Sequence, residues 1–246
     1  MPDLFETIET CRAMRRLKPD PVPDEMIVKI LRAGICAPNG GNLQKWRFLV
    51  IKDRTIKQAV QGWYKRAFDE VIGPRYLNSE PPPGVTKERY LRQHSAVAYL
   101  TDHFHEAPVW IVACLEDGPN PNRAAGSSIY PAVQNMVLAT RALGLGTTLT
   151  TRHLLYERET EAALGLPPGV HSYAILPIGW PMGKFGPVGR GPFERDRVSR
   201  SVGPALRQPL APADLCSQHK KILLAAAVAC KRDFHGSLYL PIISRL

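Results

Sequence analysis

The chain lacks most of the devices that settle a protein's class at sight. No apolar run in its 246 residues comes near the roughly 18 needed to cross a bilayer, so no membrane-spanning helix is expected. The stretch MPDLFETIET is acidic and helix-like, so it does not read as a secretory signal. Five cysteines (Cys11, Cys36, Cys114, Cys216, Cys230) form an odd count without a Cys-x-x-Cys pair, which argues against a disulfide framework and for a reducing, cytoplasmic setting. A phosphate-cradling G-x-x-x-x-G-K-[ST], a zinc-binding H-E-x-x-H and a nucleophile G-x-S-x-G are all missing. GLGTTL, Gly144 to Leu149, lacks the third glycine of a dinucleotide fingerprint and follows a helix rather than a strand. His103 and His105 are wrongly spaced for two ligands on one helix face, and Cys216, His219, Cys230 and His235 contain no paired zinc spacing. No metal is expected.

What is present is a soluble globular composition, 44% hydrophobic and 22% charged, with a net charge of +10. Such a balance raises the question of nucleic acid. Its distribution answers against it: residues 197 to 246 carry eight Lys/Arg and two Asp/Glu, leaving only about +4 for the rest. Anionic small molecules suit the remainder as well as DNA would.

Helical and strand periods alternate along the chain without repeats. A first helix is expected over residues 3 to 16, with Leu4, Ile8 and Cys11 on one face. KPDPVPDEM breaks it, and Asp24 caps a second helix whose stripe is Met26, Ile27, Ile30, Leu31 and Ile35, ending before Pro38. RFLVIKD reads as a strand. Residues 54 to 105 read as an excursion: a helical piece around residues 56 to 72, the proline-rich NSEPPPG, and a second piece from Thr86 to Leu100. Then come the strand APVWIVACLE, the helix SSIYPAVQNMVLATRALGL, the short strand GTTLTT, the helix ERETEAALGL and the strand HSYAILPIGWP. An α+β domain over residues 1 to 200 is the reading, with a basic, partly ordered extension over 201 to 246.

Two basic clusters flank this core: Arg12, Arg15 and Arg16 after the first helix, and Lys184 to Arg190 in GKFGPVGR. A guanidinium's fork of donors matches phosphate oxygens; a solvated basic turn is the plainer reading of either cluster alone. Between the second helix and its strand, APNGGNLQKW combines two glycines with the amides of Asn39, Asn42 and Gln44, which lets backbone approach a flat ligand and bond its edge.

These blocks resemble the nitroreductase superfamily, the FMN-dependent enzymes that include oxygen-insensitive nitroreductases and iodotyrosine deiodinase. CRAMRR corresponds to an Arg-Arg-Ser-x-Arg box and APNGGNLQKW to Ala-Pro-Ser-x-x-Asn-x-Gln-Pro-Trp; PAVQNMVLATRALGLGTT and LPIGWP…GPVGRGPFE follow in the right order, over about residues 5 to 195. The resemblance implies a mixed central β-sheet flanked by helices, in a homodimer with FMN at the interface. It implies that Arg12, the backbone at Ala13 and Met14, and Arg15 contact the FMN phosphate, ribityl chain and N1/O2 side of the ring. Pro38, Asn39 and Asn42 would line the ring's other edge with Gln44 nearby, Leu149, Thr150 and Thr151 would pass beside it, and Arg190 would take the phosphate. Three positions depart from the pattern: Cys11 for the first arginine, Ala13 for the serine and Lys45 for the proline.

The implied activity is NAD(P)H-dependent reduction of nitroaromatic, quinone or similar electron-poor acceptors, with NADH or NADPH delivering hydride to flavin N5. The ring carries the chemistry, so no catalytic side chain is expected. The stretch from about Gly62 to His105 is the expected substrate lid, where Trp63, Tyr64, Tyr76 and Tyr90 offer flat surfaces; surface packing aromatics are the plainer reading of the same residues. Reductive dehalogenation or oxygen-dependent flavin fragmentation is the alternative chemistry; a flavin-sequestering or basic nucleic-acid-binding protein is the alternative without catalysis.

Overall fold

The computed structural model describes residues 2–119 and 123–190. The expected extension over 201–246, with its cysteines and histidines, lies outside the described residues, so the 200/201 boundary remains an expectation.

Seven α-helices and four strands are formed by the described residues: α1 (Leu4–Thr10), α2 (Asp24–Ile35), β1 (Trp46–Ile51), α3 (Arg54–Ala67), α4 (Gly73–Asn78), α5 (Lys87–Asp102), β2 (Val109–Glu116), α6 (Gly126–Ala142), β3 (Gly146–Thr147), α7 (Glu157–Leu164) and β4 (Val170–Gly179). The sheet runs in the order β1-β2-β4-β3. All three pairings are antiparallel, so the parallel component of a mixed sheet is not found among the described residues.

β2 explains why the sheet is covered on both faces. Its seven residues from Val109 to Leu115 are all buried, and successive side chains of a strand point to opposite faces. Val109, Ile111, Ala113 and Leu115 join Ile30 of α2 and Ile129, Val133 and Met136 of α6 in one core. Trp110, Val112 and Cys114 join Val60 and Tyr64 of α3, Leu100 of α5 and Leu164 of α7 in the other. Burial pushes the Cys114 thiol up to about 12, so this cysteine is an inert core residue.

Two expectations need correction. Asp24 is not the cap of α2: Pro23 occupies the cap position, Asp24 is the first helical residue, and its carboxylate pairs with Lys52. The first helix stops at Thr10 rather than at residue 16, because Cys11 is extended (ψ 103°). Backbone pairing wins over helical propensity there. Met14 N–H donates to Thr147 O at 2.9 Å, Lys18 N–H to Trp180 O at 2.8 Å, and Met182 N–H to Arg16 O at 3.0 Å.

That extended run lies close against the sheet edge at Gly146, where a Cβ would sit 2.8 Å from Leu17 Cδ2, 3.0 Å from Met14 Cβ and 3.2 Å from Pro181 Cβ. Gly146→Ala is therefore expected to cost about 1–3 kcal/mol by overpacking, a loss of roughly 2–4 °C in Tm per kcal/mol. An unchanged thermal midpoint would contradict this close approach.

Candidate functional site

The run from Cys11 to Leu17 is pinned by its backbone, which decides where its side chains go. Met14 is buried in the core and its N–H is spent on Thr147, while Arg12 and Ala13 are exposed and Arg15 is half-buried. A second strap, Pro187 to Arg190, is tied to α1 by Val188 N–H donating to Glu9 O at 2.9 Å. Tyr76 of α4 and Arg89, Gln93 and Val97 of α5 form the facing wall. Together they enclose a cleft of about 420 Å³ whose lining includes Arg12, Arg15, Arg89 and Arg190, and no acidic residue.

Four guanidiniums around one cleft repel one another. Arg12, Arg15 and Arg89 make no side-chain hydrogen bond or ion pair among the described residues; Arg190 donates only to its neighbour Gly189 O, at 3.1 Å. Their unspent donors and uncompensated charge suit a phosphate-bearing ligand. Three of these residues were legible in the sequence, Arg12 and Arg15 in the first basic cluster and Arg190 in the second. Arg89 was not, because KERYLRQH has the look of a solvated helix face.

Beside the cleft, Arg152 lies in the turn Arg152–Tyr156 with its guanidinium 4.2 Å from the Tyr64 ring centre and 5.1 Å from that of Phe68. It donates to Thr101 Oγ1 at 2.5 Å. Burial pushes its pKa down, with Tyr64 opposing that shift and Arg15 adding to it. Thr150 is buried, its hydroxyl 3.0 Å from Tyr64 OH and its backbone bridged to Ile175 in both directions. Leu149 and Thr151 are the exposed members of the expected ring-flanking trio.

The expected substrate aromatics divide. Tyr64 is only 1% exposed and stacks on Phe104 at 4.1 Å, so it is a core residue and presents no flat surface. Tyr90 is likewise buried, 5.5 Å from Tyr76. Tyr76 faces the cleft; Trp63 packs instead on Tyr156 at 5.6 Å.

The amide-rich loop holds itself. Asn39 Oδ1 accepts from Gln44 N–H at 3.0 Å, Gln44 Nε2 donates to Asn42 Oδ1 at 3.4 Å, and Gly40 N–H donates to Ser128 Oγ at 3.0 Å. Gly41, Asn42 and Gln44 have φ of 59°, 53° and 51°, a conformation that carries a cost at the two non-glycine positions. Pro38, Asn42 and Gln44 are exposed, whereas Asn39 lines a separate cavity of about 310 Å³ with Trp46 and Ser128. The loop leads into β1, at one edge of the sheet, and the arginine run lies along β3, at the other. Three strand spacings separate those edges, roughly 14 Å. The residues expected around one ligand therefore fall into two groups within a single chain.

Elsewhere, Glu157, Glu161 and His171 each place a ligand-type atom within 4.8 Å of the others. Glu161 Oε1 is already engaged by Ser172 N–H at 2.6 Å and His171 Nε2 by Gly118 O at 2.9 Å, an arrangement that ties β4 to its surroundings.

A two-sided helical cover over an antiparallel sheet, with an acid-free arginine cleft at its edge, defines an α+β protein. The chain belongs to the nitroreductase family, whose sequence model matches residues 8–180. It is 28% identical over 197 residues to an NADH dehydrogenase of Thermus thermophilus, covering 75% of this chain and 89% of that one. It is 27% identical over 178 residues to an iodotyrosine deiodinase of Thermotoga neapolitana, covering 72% and 88%. Among solved structures, an oxidised iodotyrosine deiodinase bound to FMN and 3-iodo-L-tyrosine superposes with a TM-score of 0.64 at 23% identity, covering 81% of this chain and 98% of that one. A BluB-like flavoprotein from Clostridium difficile superposes at 0.63 and 22%, covering 82% and 100%. No helix among the described residues is long and apolar enough to cross a membrane.

Proposed function

We propose that the protein is an FMN-dependent NAD(P)H oxidoreductase that reduces nitroaromatic, quinone or similar electron-poor acceptors. The observation that carries this reading is the cleft, where arginine donors without partners and without neighbouring acids fit a phosphate-bearing cofactor. FMN, when bound, would supply the two-electron chemistry, taking hydride from NADH or NADPH and passing the electrons to the acceptor.

The protein's own residues bind and orient. Arg12 and Arg190 would hold the phosphate, and Arg15, deeper in the cleft, would stabilise negative charge on the pyrimidine side of the ring. Ala13 would contribute backbone; Met14 contributes a buried anchor, since its N–H is already committed. Leu149 and Thr151 would flank the ring while Thr150, locked onto Tyr64, fixes their position. Tyr76 remains as the lid aromatic within reach of the cleft.

Pro38, Asn39, Asn42 and Gln44 can join this site when a second copy presents its loop. An apolar face supports such a homodimer: Leu4 and Phe5 of α1 are 62% and 72% exposed, beside a groove that includes Ala33, Leu138 and Ala142.

A visible spectrum of the purified protein, followed by anaerobic NADH and then NADPH, tests the reading. Flavin absorbance that bleaches with either donor is expected; a colourless protein that also fails to take up added FMN would end it. The resemblance to a deiodinase, and 25% identity over 179 residues to a 5,6-dimethylbenzimidazole synthase of Rhodospirillum rubrum, favour a second reading, reductive dehalogenation or flavin fragmentation. Rapid NAD(P)H-driven turnover of a nitro compound, without halotyrosine turnover, separates the two.

A further inference from the structure

The arginine count of the cleft exceeds what the resemblance assigns to the cofactor, and the surplus residue has a particular place. Arg89 rises from the first turn of α5, where Thr86 caps the helix and accepts from Arg89 N–H at 3.3 Å. Its guanidinium lies against the strap: a Cβ at Gly189 would sit 2.2 Å from Arg89 Nη2, 3.2 Å from Cζ and 3.5 Å from Nη1. Gly189 is not among the glycines held at positive φ, so its bare Cα serves this approach and not a turn. The next residue is Arg190. Arg89 from the facing wall and Arg190 from the strap thus line one cleft with no acid between them, and their like charges favour an anion there.

We propose that Arg89 is a phosphate-positioning residue contributed by the lid, closing on the cofactor phosphate beside Arg190, and that Gly189 is the seat that admits it. The inference rests on the flavin reading above and adds a residue to it. In consequence, a bound phosphate would add a link between α5 and the Pro187–Arg190 strap, against which Arg89 already lies at Gly189.

The discriminating probe is riboflavin, which carries the same ring and ribityl chain without the phosphate. Protein purified without added flavin is titrated with FMN and with riboflavin, following quenching of flavin fluorescence. Arg89→Gln is expected to weaken FMN about 10- to 100-fold, the range for one charge-assisted hydrogen bond, and to leave riboflavin within about twofold. Arg89→Lys, which keeps the charge and loses the fork, should fall between. Gly189→Ala should reproduce the Arg89→Gln loss without lowering Tm, because the far end of a long side chain simply swings aside. The double variant should then bind FMN no more weakly than Arg89→Gln alone.

Unchanged affinities for both FMN and riboflavin in Arg89→Gln overturn the proposal while leaving the flavin reading intact. Equal weakening of both ligands also overturns it, since that marks a structural role. Wild-type protein that binds neither ligand overturns the proposal together with the reading beneath it.

Discussion

Protein carrying Arg12→Gln and Arg190→Gln together is expected to emerge from purification without flavin. Both side chains are exposed at the cleft and neither has an acidic partner among the described residues, so their replacement costs the fold no more than the local bond from Arg190 to Gly189 O. On the proposed reading, what it would remove is two charge-assisted contacts to the cofactor phosphate, about 1.5–3 kcal/mol each. Lost together they weaken binding by roughly 10²- to 10⁴-fold. The sign of the effect on the flavin-free protein is opposite and small: thinning a crowd of like charges relieves repulsion, so its thermal midpoint should hold or rise slightly. Flavin-to-protein absorbance after gel filtration, paired with a melting curve, reads both. A double variant that retains stoichiometric flavin would move the phosphate elsewhere.

The second large effect concerns acid. His153 is fully buried, and neither ring nitrogen has a hydrogen-bond partner. Burial pushes its pKa down from 6.5 to about 4. Between those values the unfolded chain takes up a proton that the folded chain refuses, so the stability His153 allows at neutral pH is lost as pH falls from about 6.5 to about 4, and the loss levels off below. At 1.36 kcal/mol per unit, the full span is on the order of 3 kcal/mol. Denaturant melts of wild type and His153→Leu at a series of pH values should therefore diverge across that window, the variant losing less. Parallel curves would mean that the imidazole finds a partner in the folded protein.

Much of this architecture was legible in the chain because binary patterns survive folding. APVWIVACLE is apolar throughout, and it became the strand buried on both faces. The break at KPDPVPDEM and the proline at 38 correctly bracketed α2. Where reading failed, a long-range partner had the decision. Nothing local in CRAMRR says that Cys11 leaves the helix; the carbonyls of Thr147 and Trp180, far along the chain, draw that run into an extended path. Tyr64 sits on a helix with polar neighbours and looked available, yet Phe104 and Thr150 enclose it. Arg89 and Arg152 carry no motif at all, and only the fold shows that their charges meet at the cleft and its flank. The amide loop was singled out correctly as unusual, but its amides bond one another, so side-chain chemistry alone overstated how many of them are free.

The separation of that loop from the arginine run, at opposite edges of one sheet, has a consequence for how any titration must be read. In the proposed homodimer, a flavin held by the arginine run of one copy and the amide loop of the other would join two polypeptides, a cross-linker as well as a cofactor. Its apparent affinity then depends on how much protein is in the tube, by simple mass action. Dilution would release flavin from a protein whose individual contacts are all intact. Adding FMN would in turn shift the sedimentation of a dilute sample toward the larger species.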